Sequence, residues 1–433
     1  MFPGMDRRSF LKVAGATALT PAVGGLLAAC GSSESTTAGG GTAPTATGAT
    51  GAAKPTGDRK VKLGFIALTD CASIVMAKEL GYFAERDLDV SVEKQASWPA
   101  TRDNLLNNQI DGGHVLFSMP FSVATGIGLA AGSAQSQALK VAMVLNNNGQ
   151  AITLNKAFAE VGYALDPGSL EKVKAILEAK SPELAMTFPG GTHDTWLRYW
   201  LQAAKVDISK LSIKPVPPPN MVANMEANAI DGYCVGEPWN AVAVKKGIGF
   251  THLTSQDIWK HHPEKALVVN EKFAAERPEV LKDVMGAILK ASAWLDNLGN
   301  RKEAAKTIGA EGYVNAPAAE IESRLLGIYE MGGGIPNKSY ADDYMTFFRD
   351  GQVNAPRRGH AIWFMAQYRR FGLLKEDPPY QQLADSIILR DLYEEVAAAE
   401  GITVPDDDMT PFDIQLDKTT FDPANPTAEA TRA

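Results

Sequence analysis

The chain has 433 residues, 45% of them hydrophobic, and 42 basic side chains against 50 acidic ones give a formal net charge of −8. This is the composition of a globular protein long enough for more than one core, and its acidic balance excludes nucleic acid as a natural partner. The three cysteines (Cys30, Cys71, Cys234) fit no metal-ligand spacing, so no metal and no cofactor is expected.

At the start, Asp6-Arg7-Arg8-Ser9-Phe10-Leu11-Lys12 reads as a twin-arginine export signal, followed by a weakly apolar run over 13–29. That run contains Pro21 and several glycines and is shorter than the roughly 20 residues a membrane span needs. It ends in Leu27-Ala28-Ala29-Cys30, which is similar to the lipobox of bacterial lipoprotein precursors. Residues 1–29 are therefore expected to be a signal peptide and Cys30 the lipidated first residue of the mature chain. Residues 30–57 are Gly, Ser, Thr, Ala and Pro with almost no large apolar side chain, a composition that gives a flexible tether.

From residue 58 the pattern alternates between strand and helix. Strands are expected at 62–66, 88–92, 113–117 and 139–145, with helices at 72–80 and 99–109; Pro99 sits in a first turn, where a missing N–H costs little. After Asp166-Pro167-Gly168 the alternation restarts, with helices at 170–179, 192–205, 221–229 and 238–246 and strands at 184–188, 212–215 and 232–235. A short strand at 265–269 leads into a long helical region from Pro278. This order predicts two α/β blocks, the second inserted into the first: 58–155 and the mostly helical 265–400 form lobe 1, 156–264 form lobe 2, and 401–433 form an acidic tail without regular structure, wrapped on the surface.

The stretch Phe188-Pro189-Gly190-Gly191-Thr192-His193 carries the first chemical signal. A strand, a glycine turn and a helix start aim unpaired backbone N–H groups and the positive end of the helix dipole at one point, a ready anion site. Gly191, Thr192 and His193 are candidates for it. The same residues also fit an ordinary turn with Thr192 or Asp194 as N-cap.

A resemblance decides between these readings. Residues 61–72, Ala77-Lys78-Glu79-Leu80-Gly81-Tyr82-Phe83, Ala96-Ser97-Trp98-Pro99-Ala100-Thr101-Arg102-Asp103, residues 111–120, Gly190–His193, Gly236-Glu237-Pro238-Trp239 and His360-Ala361-Ile362-Trp363-Phe364 follow one another in an order that resembles the nitrate/bicarbonate group of ABC-importer substrate-binding lipoproteins. The likeness runs from about 62 to 373. It implies a bilobal periplasmic-binding-protein fold (type II) that closes on a small anion. It also implies delivery to an ABC permease and its ATPase, a lipid-anchored extracytoplasmic location, and no enzymatic activity. The segment 77–83 is shared with sulfonate and thiamine-precursor binders, so it speaks for the fold alone.

The resemblance further assigns Trp98, Gln150, His193 and Lys265 to the pattern of the nitrate site, with Thr69, Thr192 and Gly191 beside them. Trp98 is expected in the loop ahead of its helix, Gln150 at the lobe junction, and Lys265 at the start of a cleft-facing strand as the single cation. Nitrate is a planar monoanion that only accepts hydrogen bonds, so its pocket is expected to hold donors and one cation with no carboxylate facing the ligand. Three or four charge-assisted bonds of about 1.5–3 kcal/mol each reach about micromolar affinity after ordering costs. Asp70 is expected to cap the first helix, and removal of Lys265 to leave folding nearly untouched. The alternatives left open are bicarbonate, whose binders in this group favour an acidic residue and a metal where this chain has Lys265, another small anion or a sulfonate, and an enzyme of the thiamine-pyrimidine type, whose cysteine-rich motif is absent here.

Overall fold

The strand over Lys60–Phe65 (β1) is buried at alternate residues in its first half and at every residue in its second, as expected of a strand that starts at a sheet end and runs into the core. The remaining main strands follow in order: β2 (Asp89–Lys94), β3 (Gly112–Leu116), β4 (Leu139–Asn147), β5 (Gln150–Asn155), β6 (Glu183–Met186), β7 (Ser212–Pro215), β8 (Gly232–Gly236), β9 (Gly249–Thr254) and β10 (Pro263–Asn270). They form two five-stranded sheets, β2-β1-β3-β10-β4 and β7-β6-β8-β5-β9. In each sheet three parallel strands are followed by one that runs antiparallel to them and by a fifth that pairs antiparallel to the fourth. The structure, a computed structural model, describes residues 58–129 and 138–432. The export signal, Cys30 and the tether lie outside the described residues.

The fold is thus α/β and bilobal, one sheet to each lobe. The chain passes between the sheets twice, at 147–150 and at 254–263. At the first passage Asn148 and Gly149 both have positive φ, 63° and 95°, a backbone that Asn and Gly adopt with least strain. The helix Pro278–Asp296 is apolar along a broad stripe, and its buried residues from Val280 to Leu295 pack in the core. Among the described residues no helix is long and apolar enough to cross a membrane.

Two strands escape the sequence reading. β5 begins in what looks like a turn after Asn146-Asn147-Asn148-Gly149, and β9 carries Thr251, His252 and Thr254 although all six of its residues are buried. Polar residues in a two-sided core strand hide its apolar pattern. The tail also differs from the expectation of irregular chain. It forms a hairpin of Phe412–Ile414 with Thr419–Phe421, then a helix at Pro426–Ala430. Its Phe412 ring stacks on Trp259 at 4.4 Å, which lends the tail a core the charge pattern concealed.

Candidate functional site

In a regular strand, neighbouring side chains leave opposite faces of the sheet. Glu264 and Lys265 of β10 do not, because the pairing of β10 with β4 slips on both sides of Lys265. Such a bulge re-aims a side chain. Lys265 Nζ consequently donates to Glu264 Oε1 at 3.0 Å and to Asp70 Oδ2 at 2.8 Å, with all three side chains fully buried. Asp70 lies in the 3-10 turn Thr69–Cys71 that follows β1, and no side chain caps that turn or the helix after it. The expected capping role of Asp70 is therefore corrected. Its carboxylate instead accepts from Lys265, from His114 Nε2 of β3 at 2.7 Å and from Gln150 Nε2 at 3.1 Å.

The second lobe meets this group with the start of the helix Thr192–Ala203. Its N-cap is Gly191, not Thr192 or Asp194, and no side chain caps it. Asp194 turns back to accept from the Gly190 N–H at 2.9 Å, which fixes the glycine turn. Thr192 Oγ1 donates to Glu264 Oε1, and Trp196 Nε1 donates to Glu264 Oε2 at 3.0 Å. His193 donates from Nε2 to Gln150 Oε1 and accepts from Thr187 Oγ1 at Nδ1. One connected chain of hydrogen bonds thus runs Thr187–His193–Gln150–Asp70–Lys265–Glu264, crossing from one lobe to the other.

Of the positions singled out in the sequence, Gln150, His193, Lys265 and Thr192 are joined directly in this cluster. Trp98 is not in a loop: it is the first residue of the helix Trp98–Leu106, capped by Ser97 Oγ, which accepts from the Ala100 N–H at 3.2 Å. Its ring lies 6.0 Å from Lys265 Nζ. Trp98 Nε1 and Thr69 Oγ1 are buried and have no hydrogen-bond partner among the described residues. Gly191 stands where a Cβ would come within 2.7 Å of Leu116 Cδ1, a residue of the other lobe, and within 3.0 Å of the Phe188 carbonyl. Its small size permits the lobes to approach. Cys71 and Cys234 are both buried and unbridged.

Further contacts shut the lobes over this cluster. The Thr69 N–H donates to the Glu237 carbonyl at 2.7 Å, and Trp239 Nε1 to the Ala67 carbonyl at 2.9 Å. Ser122 Oγ donates to the Pro189 carbonyl at 2.7 Å. With Trp98, Thr69, Gln150, Thr192, His193 and Lys265 all without solvent exposure, a solute reaches the cluster only when the lobes part.

The electrostatics correct a second expectation. Two carboxylates, Asp70 and Glu264, flank the one cation, because a buried ammonium without a counter-charge is too costly to keep. Burial pushes the Asp70 carboxyl up, yet Lys265 and His114 outweigh it and hold it well below the usual carboxylate range. For Glu264 burial wins, and its carboxyl titrates above the usual range despite Lys265, Thr192 and Trp196. Burial holds His193 and His114 neutral, with Lys265 adding to the effect. The burial of Lys265 between two acids argues against the expectation that its removal leaves folding untouched. Glu264, His114 and Trp196 were missed as site residues, and Asp70, a candidate to line the pocket, was assigned to a helix cap instead. The signal for Glu264 was its place beside Lys265 behind Pro263, where a proline interrupts a strand ladder and a bulge is apt to form.

Comparison with known proteins gives a consistent picture. The NMT1-like family is matched over residues 54–309. The nitrate/nitrite binding protein NrtA of a Nostoc species is 36% identical over 437 residues, covering 98% of this chain and 97% of that protein. The bicarbonate-binding protein CmpA of Synechococcus elongatus is 29% identical, covering 99% of this chain and 97% of its own length. The crystal structure of the periplasmic nitrate-binding protein NrtA from Synechocystis superimposes with a TM-score of 0.80 at 34% identity, covering 86% of this chain and 97% of that one.

Proposed function

We propose that this chain, which belongs to the NMT1-like family and to the family of the nitrate/nitrite binding protein NrtA, is the extracytoplasmic solute-binding component of an ABC importer. It binds nitrate, and nitrite as a smaller ligand of the same class, and hands it to the permease that the partner ATPase drives. It returns its ligand unchanged and is not an enzyme. The observation that carries this reading is the enclosed donor set around Lys265, in which Trp98 Nε1 and Thr69 Oγ1 point at no protein acceptor among the described residues. An anion without hydrogens is the partner such donors call for.

The site residues proposed are Trp98, Gln150, His193, Lys265, Thr192, Gly191 and Thr69. The ammonium supplies the formal charge, and the indole and hydroxyl supply donors from lobe 1. In the closed structure the His193 imidazole donates to Gln150 Oε1 and the Gln150 amide donates to Asp70, and both donors turn toward an anion when it enters. The lobes open at the two passages between the sheets and close on the ligand, which shifts the population toward the closed form by its preference for it. Bicarbonate, which carries an O–H, would find an acceptor in Asp70 or Glu264. Against that, Lys265 Nζ occupies the point between the two carboxylates, at 2.8 and 3.0 Å from them.

The lipobox supports attachment through Cys30 to the outer face of the cytoplasmic membrane, after twin-arginine export. Recovery of Cys30→Ser protein from the soluble fraction, with no lipid label, is the expected outcome. For the ligand, calorimetric titration of ligand-stripped protein with nitrate, nitrite and bicarbonate decides. Nitrate should bind, Lys265→Glu should abolish it, and unaltered nitrate should be recovered. Binding of bicarbonate in preference to nitrate would overturn the assignment.

A further inference from the structure

The charge count of the buried cluster does not suit an anion as it stands. Among the described residues Lys265 is the one cation in contact with Asp70 and Glu264, so the three groups sum to −1 when both acids are ionised, and nitrate would bring the enclosed total to −2. The groups that face Glu264 come from every element packed on it. Lys265 lies on its own strand and Asp70 on the turn after β1; His193, 3.7 Å from Oε1, lies on the opposite lobe. His262, at 3.7 Å from Oε2, precedes the strand, and His114 acts from β3 through Asp70. None of these imidazoles offsets the deficit, because burial keeps them neutral. The helix N-terminus at Gly191 supplies only part of a charge.

Of the two acids, only one can give up its charge without losing its ties. Asp70 has donors on both oxygens, His114 at Oδ1 and Gln150 and Lys265 at Oδ2, so a proton on either oxygen would displace a donor it now accepts from. Glu264 accepts at Oε2 from Trp196, which a neutral carboxyl oxygen still satisfies. At Oε1 its other partner besides Lys265 is the Thr192 hydroxyl, which can rotate and become the acceptor.

We propose that nitrate binding is coupled to the uptake of one proton from solvent, carried on Oε1 of Glu264, so that this side chain meets the anion as a neutral carboxyl group and releases Lys265 to it. This rests on the nitrate reading above. Burial of Glu264, which already raises its titration point, makes the proton easier to hold once a second negative charge arrives beside it. Glu264 is then the residue that sets both the pH range of capture and the preference for a monoanion. A dianion would add one more negative charge than this single proton offsets.

The experiment is calorimetry on the full chain with sodium nitrate, repeated in phosphate and in Tris buffer between about pH 6 and 8.5. The two buffers differ in ionisation enthalpy, so their difference in apparent heat counts protons. About one proton per nitrate is expected at the alkaline end, with affinity falling up to about tenfold per pH unit there. Glu264→Gln, which keeps the shape and removes the charge, should bind nitrate with no buffer-dependent heat and a flat pH profile. Nitrate binding in wild type with equal heats in both buffers overturns the proposal, and this holds whether or not the variant folds. Uptake that persists in Glu264→Gln places the proton on another group of the cluster, Asp70 or an imidazole, and also overturns it. No nitrate heat at any pH refutes the nitrate reading itself, a different result.

Discussion

Lys265→Ala deletes the ammonium that lies between two buried acids, which makes it the sharpest test of the charge arrangement. In the wild type the ammonium lies 2.8 Å from Asp70 and 3.0 Å from Glu264. Truncation leaves His114 and Gln150 on Asp70 and Thr192 and Trp196 on Glu264, but no formal positive charge for either acid. Removing one partner of a buried ion pair costs about 3–5 kcal/mol, because the remaining charge is stranded. For roughly 375 folded residues that corresponds to a fall in Tm of about 4–6 °C. The variant can relieve the strain only by protonating a carboxyl in the folded state. Its folded-state titration point then lies above the unfolded value of about 4.3, the folded chain binds more protons than the unfolded one, and stability falls as pH rises through that window. The deficit relative to wild type should therefore be larger at about pH 8 than at about pH 5. Urea unfolding followed by tryptophan fluorescence at both pH values measures it. A deficit below about 1 kcal/mol at the higher pH, or one equal at both, would show that Lys265 is not the buried counter-ion of this pair. Adding Glu264→Gln to the variant should recover part of the loss, since the two sites touch and do not act additively.

Trp98→Phe removes a buried N–H that has no partner among the described residues, so it should weaken nitrate about tenfold, on the scale of one charge-assisted hydrogen bond, while Tm stays level or rises; unchanged calorimetric affinity would take the indole out of the site. Gly191→Ala has a backbone that alanine tolerates, φ −72°, yet its Cβ meets Leu116 Cδ1 at 2.7 Å. Nitrate affinity should drop and X-ray scattering should report a more open average, and wild-type values for both would remove the steric argument. Burial lowers His262 to about 3 and His252 to about 4, whereas the unfolded chain protonates both near 6.5, so stability is complete above about pH 6.5 and declines as pH falls through the window below it. The loss near pH 5 should be about 2 kcal/mol for each imidazole, and a urea midpoint unchanged between pH 7 and 5 would contradict it.

Much of the architecture was legible because periodicity and punctuation agree. The expected strand at 212–215 is β7 as found, and the helix expected from Thr192 begins there, with Leu197, Trp200 and Leu201 on its buried side. Legibility failed where burial and polarity part company. β9 is buried at all six positions yet holds three polar side chains: His252 is satisfied by the Gly162 carbonyl and the Trp200 indole, and Thr254 by Asp257. The partners of His252 come from far along the chain, where no local window contains them, and Asp257 lies three residues beyond Thr254, past the end of the strand. The tail was misjudged for a similar reason. Its acidic run reads as solvated chain, but Asp408 pairs with Arg358 at 2.6 Å and Phe412 covers Trp259, so its charges are anchoring groups.

The site was legible as a set of positions and not as a balance of charge. Spacing and the glycine turn drew attention to His193, Thr192 and Gly191, and the family resemblance to Trp98, Gln150 and Lys265; these converge on one buried cluster. What no linear pattern conveys is which acids join them. Asp70 precedes a helix, and in sequence a carboxylate there reads as a cap; only the return of β10 beside β3 brings Lys265 within reach of it. Glu264 would face away from Lys265 in an unbroken strand, and a slip of pairing on either side of Lys265 turns it inward. An anion site of this kind therefore cannot be described by its donors alone. On the proposed reading, the ammonium that would attract nitrate is held by acids when the site is empty, and those acids yield, by moving or by taking a proton, when it fills. Glu264 and Asp70 would then decide how tightly and at what pH the ligand is captured, as much as the residues that touch it.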